Sequence, residues 1–228
     1  MRVKVCGITC VEDALAAAEA GADAIGLNFV GGPRQIQPEY AGAVLEALPP
    51  LVTPVALVRL QGGAIPDELL ELLGRHWVSH IQVYGDYEAE HLTILADDGF
   101  RPMPVVAVAD PAFAVDAGER LGLSGDGRPS AVVLDAHDPS REGGTGRSFP
   151  WGWVRDAQFA GQMPAWPPII LAGGLRPDNV AEAVRTVHPY GVDVSSGVEV
   201  EGHPGRKDPA GMREFVRQAR AAPAYSAS

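Results

Sequence analysis

Two short apolar runs near the C-terminal end constrain this chain most: Ile169-Ile170-Leu171-Ala172-Gly173-Gly174-Leu175 and Gly191-Val192-Asp193-Val194-Ser195-Ser196-Gly197. Each is too short for a helix and breaks into small residues, the pattern of a buried strand leaving a core. Between them Pro177 to Val184 opens like a helix, with Pro177 in its first turn and Val180, Ala183 and Val184 as its apolar positions. Strand, helix, strand implies parallel pairing through a crossover. Gly173, Gly174 and Gly197 let backbone N–H groups approach a ligand with no Cβ in the way. Two such exits side by side fit the phosphate site of a (β/α)8 barrel, which lies after its last two strands. Tight strand–helix packing is the competing explanation for a lone Gly-Gly pair; two consecutive sites closing a βα series favour the cradle.

The rest of the chain supplies that series. Val3–Cys6 reads as the first strand, and Thr9 with Glu12 three residues on reads as a capping box opening a helix from Val11 to Ala20, stopped by Gly21. Strands are expected at 24–29, 52–58, 79–83, 104–109 and 131–135, with helices at 38–47, 66–73, 87–98, 113–121 and 151–160. A helix from Pro209 to Arg220 closes the chain. The expectation is an α/β fold, a single (β/α)8 barrel over 1–220, followed by a frayed tail over 221–228. The loop from Ala136 to Phe149, with Gly143, Gly144 and Gly146, is long for a βα loop and has the glycines of a lid.

Charge and composition narrow the function. A net charge of −11 and a pI near 4.9 repel polyanions, so nucleic acid is excluded as a partner. An anionic metabolite then requires a locally positive site, for which Arg34 and Arg147 are the candidate side chains. No apolar run approaches a membrane span, and the chain enters a strand directly with no signal stretch, so a cytoplasmic protein is expected. Cys6 and Cys10 are the two cysteines. They have no second Cys/His pair at zinc-finger spacing, so no metal site and no disulfide framework are expected. In a barrel the chemistry sits where strands end, which singles out Cys6, Asp135, Asp193 and Ser195 as polar residues closing apolar runs. A strand-end cysteine is commonly a small buried hydrophobe, whereas a strand-end aspartate needs a partner or a task.

Taken in order, Lys4-Val5-Cys6-Gly7-Ile8-Thr9, Pro33-Arg34, Val133-Leu134-Asp135, Gly143-Gly144-Thr145-Gly146-Arg147, Leu171 to Leu175, Gly191 to Glu199 and Gly205-Arg206-Lys207-Asp208 resemble the phosphoribosylanthranilate isomerases of tryptophan biosynthesis. The resemblance runs from Val3 to about Phe215. It implies an Amadori rearrangement of an aminoaldose phosphate, N-(5-phosphoribosyl)anthranilate, to 1-(2-carboxyphenylamino)-1-deoxyribulose 5-phosphate, without metal or organic cofactor. By the same resemblance Cys6 is the general base at the sugar C2, Asp135 the general acid at the furanose oxygen, and Arg34 the partner of the anthranilate carboxylate. Gly173, Gly174, Ser195 and Ser196 hold the phosphate through backbone amides, and Asp193 makes a ribose hydroxyl or structural contact. Such chemistry asks for a Cys6 thiol lowered towards neutrality and an Asp135 carboxyl raised so that it keeps its proton. The second-strand exit is one residue shorter than the common family form, the fourth strand ends Gln82-Val83-Tyr84-Gly85 rather than Gln-Leu-His-Gly, and Val200 to Pro204 is a short insertion. A related barrel isomerase acting on a phosphoribosyl compound with a different aglycone is the alternative, and a phosphate-ligand sensor the non-enzymatic one. Oligomeric state is open at this point.

Overall fold

The computed structural model describes residues 1–61, 63–123, 128–136 and 148–222. The glycine-rich loop 137–147, with its expected lid and Arg147, the linker 124–127 and the tail 223–228 lie outside the described residues. Strand and helix alternate throughout: β1 (Arg2–Cys6), α1 (Val11–Glu19), β2 (Ala24–Asn28), α2 (Pro38–Ala47), β3 (Thr53–Arg59), α3 (Asp67–Arg75), β4 (His80–Tyr84), α4 (Ala89–Asp97) and β5 (Arg101–Val108) form the first part. α5 (Phe113–Arg120), β6 (Val132–Ala136), α6 (Gly152–Phe159), β7 (Ile169–Leu171), α7 (Val180–Val187), β8 (Gly191–Val194) and α8 (Pro209–Ala221) complete it. Each strand pairs in parallel with the next, and β8 returns to β1 with Val3 opposite Val192 and Lys4 opposite Asp193, closing the barrel.

Strand alternation divides the interior into two layers. Val3, Val5, Leu134, Val192 and Val194 point outward into the cluster beneath the helices. Cys6, Val55, Leu57, Met103 and Val133 fill a smaller cluster within the barrel. The inward parity carries the polar residues: Lys4 and Cys6 alternate with Val3 and Val5, Asp135 with Leu134, and Asp193 with Val192 and Val194. No helix among the described residues is long and apolar enough to cross a membrane.

Three local expectations are corrected. The capping box at Thr9 does not form: Cys10 is the N-cap of α1 with no side-chain cap, because the Thr9 hydroxyl donates instead to the Gly205 carbonyl at 2.9 Å. α7 starts at Val180, beyond Pro177. The Asn179 side chain accepts from the Arg176 N–H at 2.8 Å and donates to the Gly174 carbonyl at 3.0 Å, building a separate turn ahead of the helix. β5 begins at Arg101, earlier than its prolines suggest. The Arg101 N–H is engaged towards β4 through Ser79 O at 2.8 Å, so Pro102 and Pro104 fall on the side facing β6, where pairing starts only at Val105.

Candidate active site

Cys6, Arg34, Asp135, Gly173, Asp193 and Ser195 line one cavity at the C-terminal mouth of the barrel. Gly174 and Ser196, the other two expected phosphate contacts, follow these lining residues in sequence and are not themselves part of its wall. The site is assembled from strand ends, where alternation brings inward side chains from β1, β6 and β8 to a common level.

On the β1 and β8 side the buried charges are paired. Lys4 Nζ donates to Asp193 Oδ2 at 2.8 Å, and the two residues are only 4% and 7% exposed. Burial would lower the Lys4 ammonium, but Asp193, together with Cys6, outweighs it and holds the pKa above its ordinary value. Neither Lys4 nor the buried Lys207 is identified by strand-exit reasoning. The signal for Lys4 was its spacing of two from Cys6, which puts both on one strand face. Lys207 Nζ donates to Glu199 Oε1 at 3.0 Å and to the Ser195 carbonyl at 3.1 Å.

Arg34 is engaged by a carboxylate of the protein itself. Its Nε and Nη2 donate to the two oxygens of Glu199 at 2.7 and 2.8 Å. Burial would raise the Glu199 carboxyl, yet this fork and Lys207 hold it below the usual range. The expected substrate-binding arginine therefore reaches the cavity wall already clamped to Glu199.

Cys6 departs from expectation in its charge state. Burial pushes its thiol above the ordinary value, with Lys4 opposing and Asp193 adding to the rise, where the chemistry asked for a lowered one. Asp135 follows expectation: burial raises its carboxyl to about 6, against the opposing N–H of Ala136, which donates to Oδ1 at 2.8 Å. Among the described residues no cationic side chain bonds to Asp135. Tyr84, at the end of β4, also lines the cavity, and burial together with Asp135 and Cys6 drives its phenol well above the usual value. Its hydroxyl accepts from Gln82 Nε2 at 3.0 Å.

The glycines of the two exits divide by role. Gly173 and Gly174 adopt φ of +83° and +64°, a left-handed pair that few other residues tolerate. Among the described residues, the N–H groups of Gly173, Gly174, Ser195 and Ser196 have no protein acceptor. Gly197 is required by packing, since a Cβ there would fall on the Leu175 carbonyl. Also among the described residues, no group of three or more His, Cys, Asp or Glu side chains could hold a metal.

A closed parallel barrel of eight strands, with a thiol, a protonatable carboxyl and, among the described residues, unengaged amides gathered at its C-terminal mouth, has the architecture of a (β/α)8-barrel enzyme. The chain belongs to the N-(5'-phosphoribosyl)anthranilate isomerase family, whose model matches residues 3–218. It is 42% identical over 224 residues to the N-(5'-phosphoribosyl)anthranilate isomerase of Trichlorobacter lovleyi, covering 97% of this chain and 99% of that one. Its structure is similar to that of phosphoribosyl anthranilate isomerase from Thermotoga maritima, with a TM-score of 0.82, 31% identity, and coverage of 97% and 99%. It is similar too to a phosphoribosyl anthranilate isomerase in complex with reduced 1-(o-carboxyphenylamino)-1-deoxyribulose 5-phosphate, with a TM-score of 0.78, 29% identity and the same coverage.

Proposed function

We propose that this protein isomerises N-(5'-phosphoribosyl)anthranilate to 1-(2-carboxyphenylamino)-1-deoxyribulose 5-phosphate in the cytoplasm, with Asp135 as general acid and Cys6 as general base. The observation that carries the assignment of roles is that these two side chains line one cavity from β6 and β1 in a member of this family. Asp135 gives its proton to the furanose oxygen as the bond from that oxygen to C1 breaks, and the nitrogen lone pair forms an iminium at C1. Cys6, as thiolate, takes the C2 proton; the released pair makes the C1–C2 double bond and neutralises the nitrogen. Tautomerisation of the resulting enol at C2 yields the aminoketose, so the step is redox-neutral overall and uses no cofactor.

The remaining assignments follow the same geometry. The unengaged N–H groups of Gly173, Gly174, Ser195 and Ser196 hold the phosphate of the phosphorylated sugar. Arg34, fixed by Glu199, meets the anthranilate carboxylate. Asp193 Oδ1, buried and without a partner among the described residues, accepts from a ribose hydroxyl. The test is turnover of N-(5'-phosphoribosyl)anthranilate by the purified protein, with growth rescue of a tryptophan auxotroph lacking this isomerase. Turnover only of a phosphoribosyl compound with another aglycone would overturn the substrate assignment. A crystal soaked in phosphate is expected to hold the anion beside Gly174 and Ser196; anions bound only at surface arginines would remove the cradle.

A further inference from the structure

The mechanism asks for a thiolate in a place where burial opposes one, and beside it stands a buried Lys4–Asp193 pair to which the mechanism gives no part in ionising the thiol. Lys4 and Cys6 project from the same face of β1 into the barrel, and both groups crowd the space beside Gly26 on β2. A Cβ at Gly26 would stand 2.7 Å from Cys6 Sγ and 3.0 Å from Lys4 Nζ, so the thiol and the ammonium flank one small gap that only glycine leaves open. Asp193 on β8 holds that ammonium at 2.8 Å from the opposite side. The pair is internally neutral, yet its two charges act on the thiol in opposite senses.

We propose that the buried Lys4–Asp193 pair is a positioning device that sets the ionisation of Cys6: Lys4 draws the thiolate, and Asp193 both anchors Lys4 and limits its pull. This rests on Cys6 being the base. The other groups around the thiol are Lys207, engaged by Glu199 and Ser195, Tyr84 on β4 and Asp135 on β6. The burial-driven rise of the thiol, opposed by Lys4 and reinforced by Asp193, has the corresponding signs.

The experiment reads Cys6 ionisation directly, as the pH dependence of alkylation by iodoacetamide, in a Cys10→Ser background without substrate. Lys4→Met is expected to raise the apparent thiol pKa by about one unit or more, so that alkylation at a fixed pH below it slows roughly tenfold. Asp193→Asn is expected to lower it. The double variant Lys4→Met/Asp193→Asn leaves no lone buried charge and is expected to return between the two, which keeps the test available if a single variant does not fold. Shifts in the same direction for both single variants, or an unmoved thiol in the double and single variants alike, would overturn the proposal. Alkylation does not require Cys6 to be the base. If Cys6→Ser retains full turnover while these shifts occur, the base assignment fails and the device stands; if turnover collapses while the thiol stays put, the reverse holds.

Discussion

The two sides of the barrel mouth are built on different electrostatic terms. Around β1, β2 and β8 each buried charge has a close partner: Lys4 with Asp193 at 2.8 Å, Arg34 with Glu199 at 2.7 Å and Lys207 with Glu199 at 3.0 Å. Across the mouth, among the described residues, Asp135 takes one side-chain hydrogen bond, from the N–H of Ala136 at 2.8 Å. A buried carboxyl with no bonded cation holds its proton more firmly, whereas a thiol beside an ammonium is helped to lose one. The proposed acid thus stands without a bonded cation among the described residues, and the proposed base stands beside an ion pair.

The most direct way to break this contrast is to remove its two principals. Cys6→Ser keeps the shape with too high a pKa for a base, and Asp135→Asn keeps the shape with no acidic proton. Each is expected to lower kcat at least about a hundredfold, since a positioned acid or base contributes roughly 10² to 10⁴ in rate. Near-wild-type kcat in either folded variant would end the assignment.

The pH profile sharpens the contrast. The productive form pairs a thiolate with a carboxylic acid, but here the acid titrates at about 6 and the thiol above its ordinary value. The profile of kcat/KM should therefore rise to a bend near 6 that belongs to Asp135, stay level, and fall beyond the thiol's own pKa. This reverses the order expected when the thiol is the more acidic group. An acidic limb that moves with Lys4 while the alkaline limb stays fixed would refute the assignment.

Arg34→Ala tests the paired side. A carboxylate contact present in both ground and transition states is expected to raise KM about tenfold while changing kcat less. Steady-state kinetics with the anthranilate substrate would decide, and an unchanged KM would leave Arg34 as the clamp of Glu199 alone.

The smallest effect is on stability. A carboxyl raised from 3.8 to about 6 favours the native state below its unfolded pKa and loses that advantage as pH climbs through about 6. Asp135→Asn should then stabilise the fold at pH 8 by about 1 to 3 kcal/mol and have little such effect at pH 4, with urea midpoints as the readout. Equal shifts at both pH values would argue against a raised carboxyl.

Much of this was legible in the sequence where local chemistry decides. α2 runs from Pro38 to Ala47 as its proline and apolar spacing require, and Gly21, at φ +93°, follows the end of α1. What local reading missed depends on partners far along the chain. Thr9 looked like a cap because its acceptor, Gly205, is remote in sequence. Arg34 looked available for a ligand because Glu199 sits 165 positions away. The rise of the Cys6 thiol comes from burial that only the closed barrel supplies, while the rise of Asp135 could be inferred from an apolar strand ending in a carboxylate.

The seam between the first and last strands also fixes when the buried ion pair can form. Lys4 and Cys6 are synthesised well before Asp193, which lies 189 positions beyond Lys4. At synthesis rates of about 5 to 20 residues per second, the thiol waits on the order of ten seconds or more for its counter-charge pair. During that interval the Cys6 thiol lacks the buried ion pair that stands beside it in the folded protein. Barrel closure is therefore the event that brings Asp193 beside Lys4 and Cys6, and a fragment that ends before β8 lacks that pair altogether.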